Sequence, residues 1–156
     1  VKRMPNIIER HEPKRSIRTW DIQEFLRFID EKLPSVEIEM IRRFFEDLEK
    51  NPNLEVWAAR GKLPVLTLHF KKQDFHSLWI EATAKGITAG IAYYNVNVKP
   101  PQPYLPEKKI ETIRKFLKEP TKLWHYIKAK NTEELLHKLK KIIEIIEMPT
   151  DKLDVC

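Results

Sequence analysis

One cysteine and three glycines are all that this chain of 156 residues contains of either. The thiol is Cys156, the last residue, so neither a disulfide framework nor a cysteine-based zinc site can form within one chain, and nucleophilic cysteine chemistry is disfavoured. Three glycines leave almost nothing from which to build a backbone cradle for phosphates. The sequence has no GxGxxG, no Walker-type Gly-Lys-Ser/Thr loop, no HExxH and no GxSxG. No run approaches the roughly 18 apolar residues of a membrane span, and the polar, proline-containing first residues do not follow the pattern of a signal peptide. These absences lead us to expect a protein of a reducing, cytoplasmic setting, with no membrane, no cofactor and no catalytic residues.

What the sequence does have is charge. Lys and Arg number 29 against 23 Asp and Glu, a formal net charge of +6, and a third of all residues are charged. Such a Lys- and Glu-rich, glycine-poor composition resembles proteins adapted to high temperature, where ion-pair networks gain in value. The charge is unevenly spread. Residues 1–18 carry +4, the stretch from Thr19 to Asn53 carries −4, and the remainder carries +6. The length suits one domain. We expect a basic arm over 1–18, an α+β domain over 19–148 and a short tail over 149–156.

The centre of the chain, Leu54 to Tyr94, reads as four antiparallel strands. LEVWAAR, LPVLTLHF, FHSLWIEAT and ITAGIAYY are rich in β-branched and aromatic residues, and Gly61-Lys62, Lys71 to Asp74 and Ala84 to Gly86 have the chemistry of hairpin turns. Turn lengths then set a register in which Trp57 faces Leu66, His69 faces His76, Trp79 faces Ile91 and His76 faces Tyr94. On that register Trp57, Leu66, Leu68, Phe70, Phe75, Trp79, Ile91 and Tyr93 form the core face. The opposite face carries His69, His76 and Tyr94 in a row across three strands, together with Leu78, Ile80 and Ala82.

Helices flank the strands. Asp21 and Glu24 have capping-box spacing ahead of a helix to Lys32, and Ser35 is placed to cap a second helix to about Lys50. The proline-rich stretch Asn95 to Pro106 is expected to be an extended connector. Glu107 to Lys118 reads as a third helix, Lys122 to Ala129 as a fifth strand, and Asn131 with Glu134 as the capped start of a last helix to about Glu147. The fold class is therefore α+β: a mostly antiparallel sheet of four to five strands, with two N-terminal and two C-terminal helices. The closing order of sheet, helix, strand and capped helix resembles, in layout alone, small DNA-associated α+β domains of the MmcQ/YjbR kind. The likeness covers the second half of the chain and implies DNA association, with no residue carried over.

Three constellations carry chemistry. His69, His76 and Tyr94 could ligate a metal or share a proton, yet a zinc ion would need a third ligand that only Glu81 or an unplaced carboxylate could supply, and Glu81 falls on the opposite face; the plainer reading is a pair of histidines at a sheet edge. A restriction-type nuclease pattern fails, because Glu81 has no lysine two residues on. The most suggestive group is basic with interleaved aromatics: Lys115, Lys118, Lys122, Trp124, Tyr126, Lys128 and Lys130, joined by Lys108 and Lys109 on the third helix and by Arg15 and Arg18 of the arm. Lysines beside exposed Trp and Tyr suit a nucleic acid, holding phosphates and stacking bases; the bland alternative buries the aromatics under the last helix. The sequence thus points first to a non-catalytic, DNA-associated nucleic-acid-binding module. A protein-interaction or inhibitor domain, using the acidic helical pair 21–50 or the proline loop 95–106, is the alternative, and an enzyme or metal site at His69 and His76 is the second alternative.

Overall fold

The computed structural model describes residues 21–59 and 62–155. The arm over 1–18, with Arg15 and Arg18, and the Gly61 half of the first turn lie outside the described residues. Two helices come first, α1 (Ile22–Asp30) and α2 (Ser35–Glu49), followed by β1 (Leu54–Ala59), β2 (Val65–Phe70), β3 (Phe75–Thr83) and β4 (Gly86–Ala92). After β5 (Tyr94–Asn95) and β6 (Gln102–Pro103) come α3 (Glu107–Leu117), β7 (Trp124–Tyr126), α4 (Thr132–Glu147) and a closing 3-10 helix, Thr150–Val155. The architecture is α+β, as the sequence implies, with a five-stranded antiparallel sheet ordered β1-β2-β3-β4-β7.

Local chemistry explains most of the boundaries. Asp21 and Asn131 both cap as their spacing foretells, each side chain accepting the backbone N–H three residues on, at 2.8 Å from Glu24 and 2.9 Å from Glu134. Ser35 does not cap; it is the first helical residue, and Pro34 occupies the cap position without a side-chain bond. The proline stretch is more than a connector, since β5 and β6 pair across it as a separate two-stranded ribbon. The tail also does structural work, because Leu153 of the 3-10 helix is buried in the main core.

The register departs from the expected one at three places, each by one residue. β1 pairs Trp57 with Thr67, and a two-residue turn pairs Thr83 with Gly86, so that Trp79 faces Gly90. Gly86 sits at φ +131, a conformation that side chains rarely adopt, which is what the tight turn requires. Between β2 and β3 the pairing runs Phe70 with Phe75 but Leu68 with Leu78, so His76 and Ser77 together oppose His69. This bulge inverts the side chains of β3 from Leu78 onward. Leu78, Ile80 and Ala82 therefore join Leu66, Leu68, Phe70, Ala89 and Ile91 in the main core. Trp79 and Trp57 turn to the other face, a correction to the expected core.

All four helices contribute to that main core, on one side of the sheet. Phe25, Phe44, Ile113 and the α4 stripe Leu135, Leu139, Ile142 and Ile146 cover it. On the other side a smaller cluster of Val65, Trp79 and Ala92 packs with Val96, Tyr104 and Trp124, and none of these is a helix residue. The molecule has two layers, and one sheet face is free of helices among the described residues.

A polar knot joins distant parts of the chain. Asn53, buried ahead of β1, donates to Gln73 Oε1 at 2.8 Å and to Glu147 Oε2 at 2.9 Å, while its own Oδ1 accepts the Lys72 N–H at 2.7 Å. Asn51 donates to both Glu147 oxygens, at 3.1 and 3.0 Å. The ends of α2 and α4 and the β2–β3 turn are thus held at one point.

Candidate functional site

The helix-free face can be read as rows across the strands. Trp57, Thr67, Trp79, Gly90 and Tyr126 are consecutive cross-strand partners from β1 to β7. A second row holds Glu55 and His69, then the bulge, and ends on Ala92 and Trp124. Glu81, opposite Thr88, stands in the third. Side-chain period 2 and the bulge together bring three tryptophans, Tyr126, two histidines and two carboxylates to a single surface.

Its most organised part is at the β7 edge. The Trp79 indole N–H donates to Glu81 Oε1 at 2.8 Å, and the Tyr126 hydroxyl donates to the same oxygen at 2.9 Å. The Tyr126 ring meets Trp79 edge to face, with centroids 6.0 Å apart, and meets Trp124 likewise at 6.1 Å. Trp79 is fully buried, whereas Tyr126 is 38% exposed and Trp124 half-buried. Burial, with the Glu81 charge beside it, pushes the Tyr126 hydroxyl up to about 12, so the phenol keeps its proton at neutral pH.

The lysines of the expected stripe divide. Lys115, Lys118, Lys122, Lys128 and Lys130 are exposed. Two contacts tie the end of α3 to the segment around β7: Arg114 donates from Nε to the Lys122 carbonyl at 3.0 Å, and Lys128 pairs with Glu119 at 3.3 Å. Lys109 does not belong to the outer surface. It is 5% exposed and its ammonium donates to the Ile146 carbonyl near the end of α4, with burial lowering its pKa. Lys108 is half-buried. Arg114 is turned inward, its guanidinium 5.1 Å from the Tyr93 ring centroid and 5.5 Å from that of Tyr94. Trp124 and Tyr126 are not the cover of the last helix, because they lie on the opposite face of the sheet from it.

The expected row of His69, His76 and Tyr94 is not assembled. The two imidazole centroids are 6.1 Å apart, but Tyr94 belongs to the β5–β6 ribbon and its hydroxyl donates to Glu107 at 2.7 and 2.9 Å. The shifted β3–β4 pairing and the end of β4 at Ala92 account for this. His69 stacks on Trp57 at 4.2 Å and donates from Nδ1 to Glu55 Oε1 at 2.9 Å, a bond that lowers the Glu55 pKa. Among the described residues no group of three His, Cys, Asp or Glu side chains could hold a metal ion. Nor is any helix among them long and apolar enough to cross a membrane.

A different histidine is the buried one. His125 donates from Nδ1 to the Tyr126 carbonyl at 2.9 Å, which leaves Nε2 to accept the Tyr93 hydroxyl at 2.7 Å. Both groups are neutral; burial lowers the imidazole pKa and raises the phenol's well above the usual tyrosine range. This pair is walled in by the fold and locks β7 onto β4.

Sequence reasoning placed Trp124 and Tyr126 in the site but missed Trp79 and Glu81. The Trp-x-Glu pattern on β3 was visible, since residues two apart share a face, but the face itself was misassigned. No protein-family model, curated protein or solved structure matches this chain. The layout likeness to the MmcQ/YjbR domains therefore has no family match beside it.

Proposed function

We propose that the protein is a non-catalytic nucleic-acid-binding module that holds a single strand along β7 and the adjoining end of α3. One observation carries this reading. Trp124 and Tyr126 present their rings on the helix-free face of an edge strand, and exposed lysines precede and follow them in the same short segment. From Arg114 to Lys130 there are six basic side chains and one acidic one, and that one, Glu119, is buried and paired with Lys128. Aromatic rings accept the flat face of any base, worth about 1–3 kcal/mol per stacked base, while lysines follow the phosphates. A duplex hides its base faces, so exposed rings favour a single strand.

The test is fluorescence anisotropy of labelled single- and double-stranded oligonucleotides, DNA and RNA, across a salt series. Micromolar or tighter binding of the single strand is expected, falling with log salt by a slope of about −0.7 per neutralised phosphate. A Lys122→Glu/Lys128→Glu/Lys130→Glu variant that keeps its circular dichroism spectrum should bind at least tenfold more weakly, since each contact contributes to that slope. Absence of binding at low salt, or equal affinity for the duplex, would overturn the reading.

A further inference from the structure

The carboxylate of Glu81 is half-buried and, among the described residues, has no cationic partner. Its two hydrogen bonds come from neutral donors, the Trp79 indole and the Tyr126 hydroxyl, and both fall on Oε1. Oε2 makes no bond. A carboxylate taken partly out of water this way retains its demand for donors. It is fixed in position by the two rings that hold it, and one of those rings is the exposed Tyr126 on which a base would stack. A stacked base would therefore bring its hydrogen-bonding edge towards an oxygen with two vacant acceptor positions.

We infer that Glu81, with Tyr126, forms a subsite that selects guanine within the bound strand, an inference that rests on the single-strand reading above. Guanine alone among the common bases carries adjacent ring and amino N–H donors, N1–H and N2–H, which can converge on Oε2. Adenine and cytosine place a ring acceptor beside the amino donor, and uracil or thymine flanks its single N–H with two carbonyls; each of these sets a lone pair against the carboxylate. The lysines around the edge favour a polyanion over the alternative ligand of a carboxylate among aromatic rings, a methylated ammonium group.

The experiment compares, by anisotropy at fixed salt, a nonamer of deoxythymidine with the same nonamer carrying one central guanine, and then one central inosine. Wild-type protein should bind the guanine strand about tenfold more tightly than the all-thymine strand, the scale of one good paired base contact. Inosine, which lacks the amino group, should lose several-fold of that gain in the unaltered protein. Glu81→Gln, which keeps an acceptor for Trp79 and Tyr126, should bind both strands with the affinity that wild type has for thymine. Salt-sensitive binding with no guanine preference, or a preference that survives Glu81→Gln, overturns the guanine subsite and leaves the single-strand reading standing. Failure to bind any strand removes both. Binding of a trimethyllysine peptide in preference to the guanine strand assigns the carboxylate to a cation instead.

Discussion

Trp79 lies across Gly90, its cross-strand partner, so closely that a Cβ on the glycine would come within 2.3 Å of one ring carbon and 2.6 Å of another. The missing side chain on β4 makes the space in which the indole sits, and the seated indole sets the position of Glu81 and the packing of Tyr126. Gly90→Ala should therefore overpack the face and displace the ring. A loss of about 1–3 kcal/mol is expected, read as a lower urea midpoint together with a changed tryptophan emission maximum. An unchanged midpoint and spectrum would show that the ring is not held there.

Asn53 makes the second test. Its side chain takes part in three hydrogen bonds, to Gln73, Glu147 and the Lys72 N–H. At about 1 kcal/mol each, Asn53→Ala should cost roughly 3 kcal/mol, with Gln73 and the Lys72 N–H losing these bonds while Glu147 keeps those from Asn51. Asn53→Asp should also destabilise, because it places a second carboxylate against Glu147. Denaturant titration of both variants decides the point; a loss below about 0.5 kcal/mol, the scale of an ordinary surface substitution, would mean that water replaces the knot.

The buried His125 gives stability a definite dependence on pH. Burial lowers its pKa in the folded state, so the unfolded chain binds the proton more readily over the interval between the two values. Its contribution is complete above the ordinary histidine value near 6.5 and erodes as pH falls from there towards the lower folded pKa. Glu119, Lys122 and Arg114 are the charged groups that act on the ring, and Tyr93 is its hydroxyl partner. Denaturation midpoints at pH 8, 6.5 and 5 should fall more steeply for wild type than for His125→Gln. Parallel curves for the two proteins would put the titrating group elsewhere.

Much of the fold is written in short, local signals. Asp21 with Glu24 and Asn131 with Glu134 announce helix starts because a cap depends on residues three apart, and the turn sequences separate the strands for the same reason. Which way each strand faces is not local. One extra residue opposite His69 is enough to exchange Trp79 for Leu78 and Ile80 in the core, and a two-residue turn where three residues look like a loop then keeps Ile91 there. The fully buried Trp79 obscures the amphipathic alternation of β3, because the half-buried Glu81 and Thr83 share its face while Leu78, Ile80 and Ala82 fill the other. The same parity decides the site. Trp124 and Tyr126 were legible from their spacing with lysines, whereas the bond between Glu81 and Tyr126 links residues 45 positions apart and has no sequence signature. Lys109 misled for a related reason. Its helix position looks solvent-facing until the end of α4 arrives beside it.

The knot at Asn53 also bears on the order in which the molecule assembles. The meander from β1 to β4 is made of hairpins whose partners are near in sequence, while Asn53 and Glu147 are 94 positions apart. Closing so long a loop costs more chain entropy than closing a hairpin, and its contacts give nothing back until both ends are in place. The meander is then the natural nucleus, and the arrival of α4 is a late latch. Removing the Asn53 side chain should in consequence leave the refolding rate nearly untouched and hasten unfolding, a division that the two arms of a chevron plot separate directly.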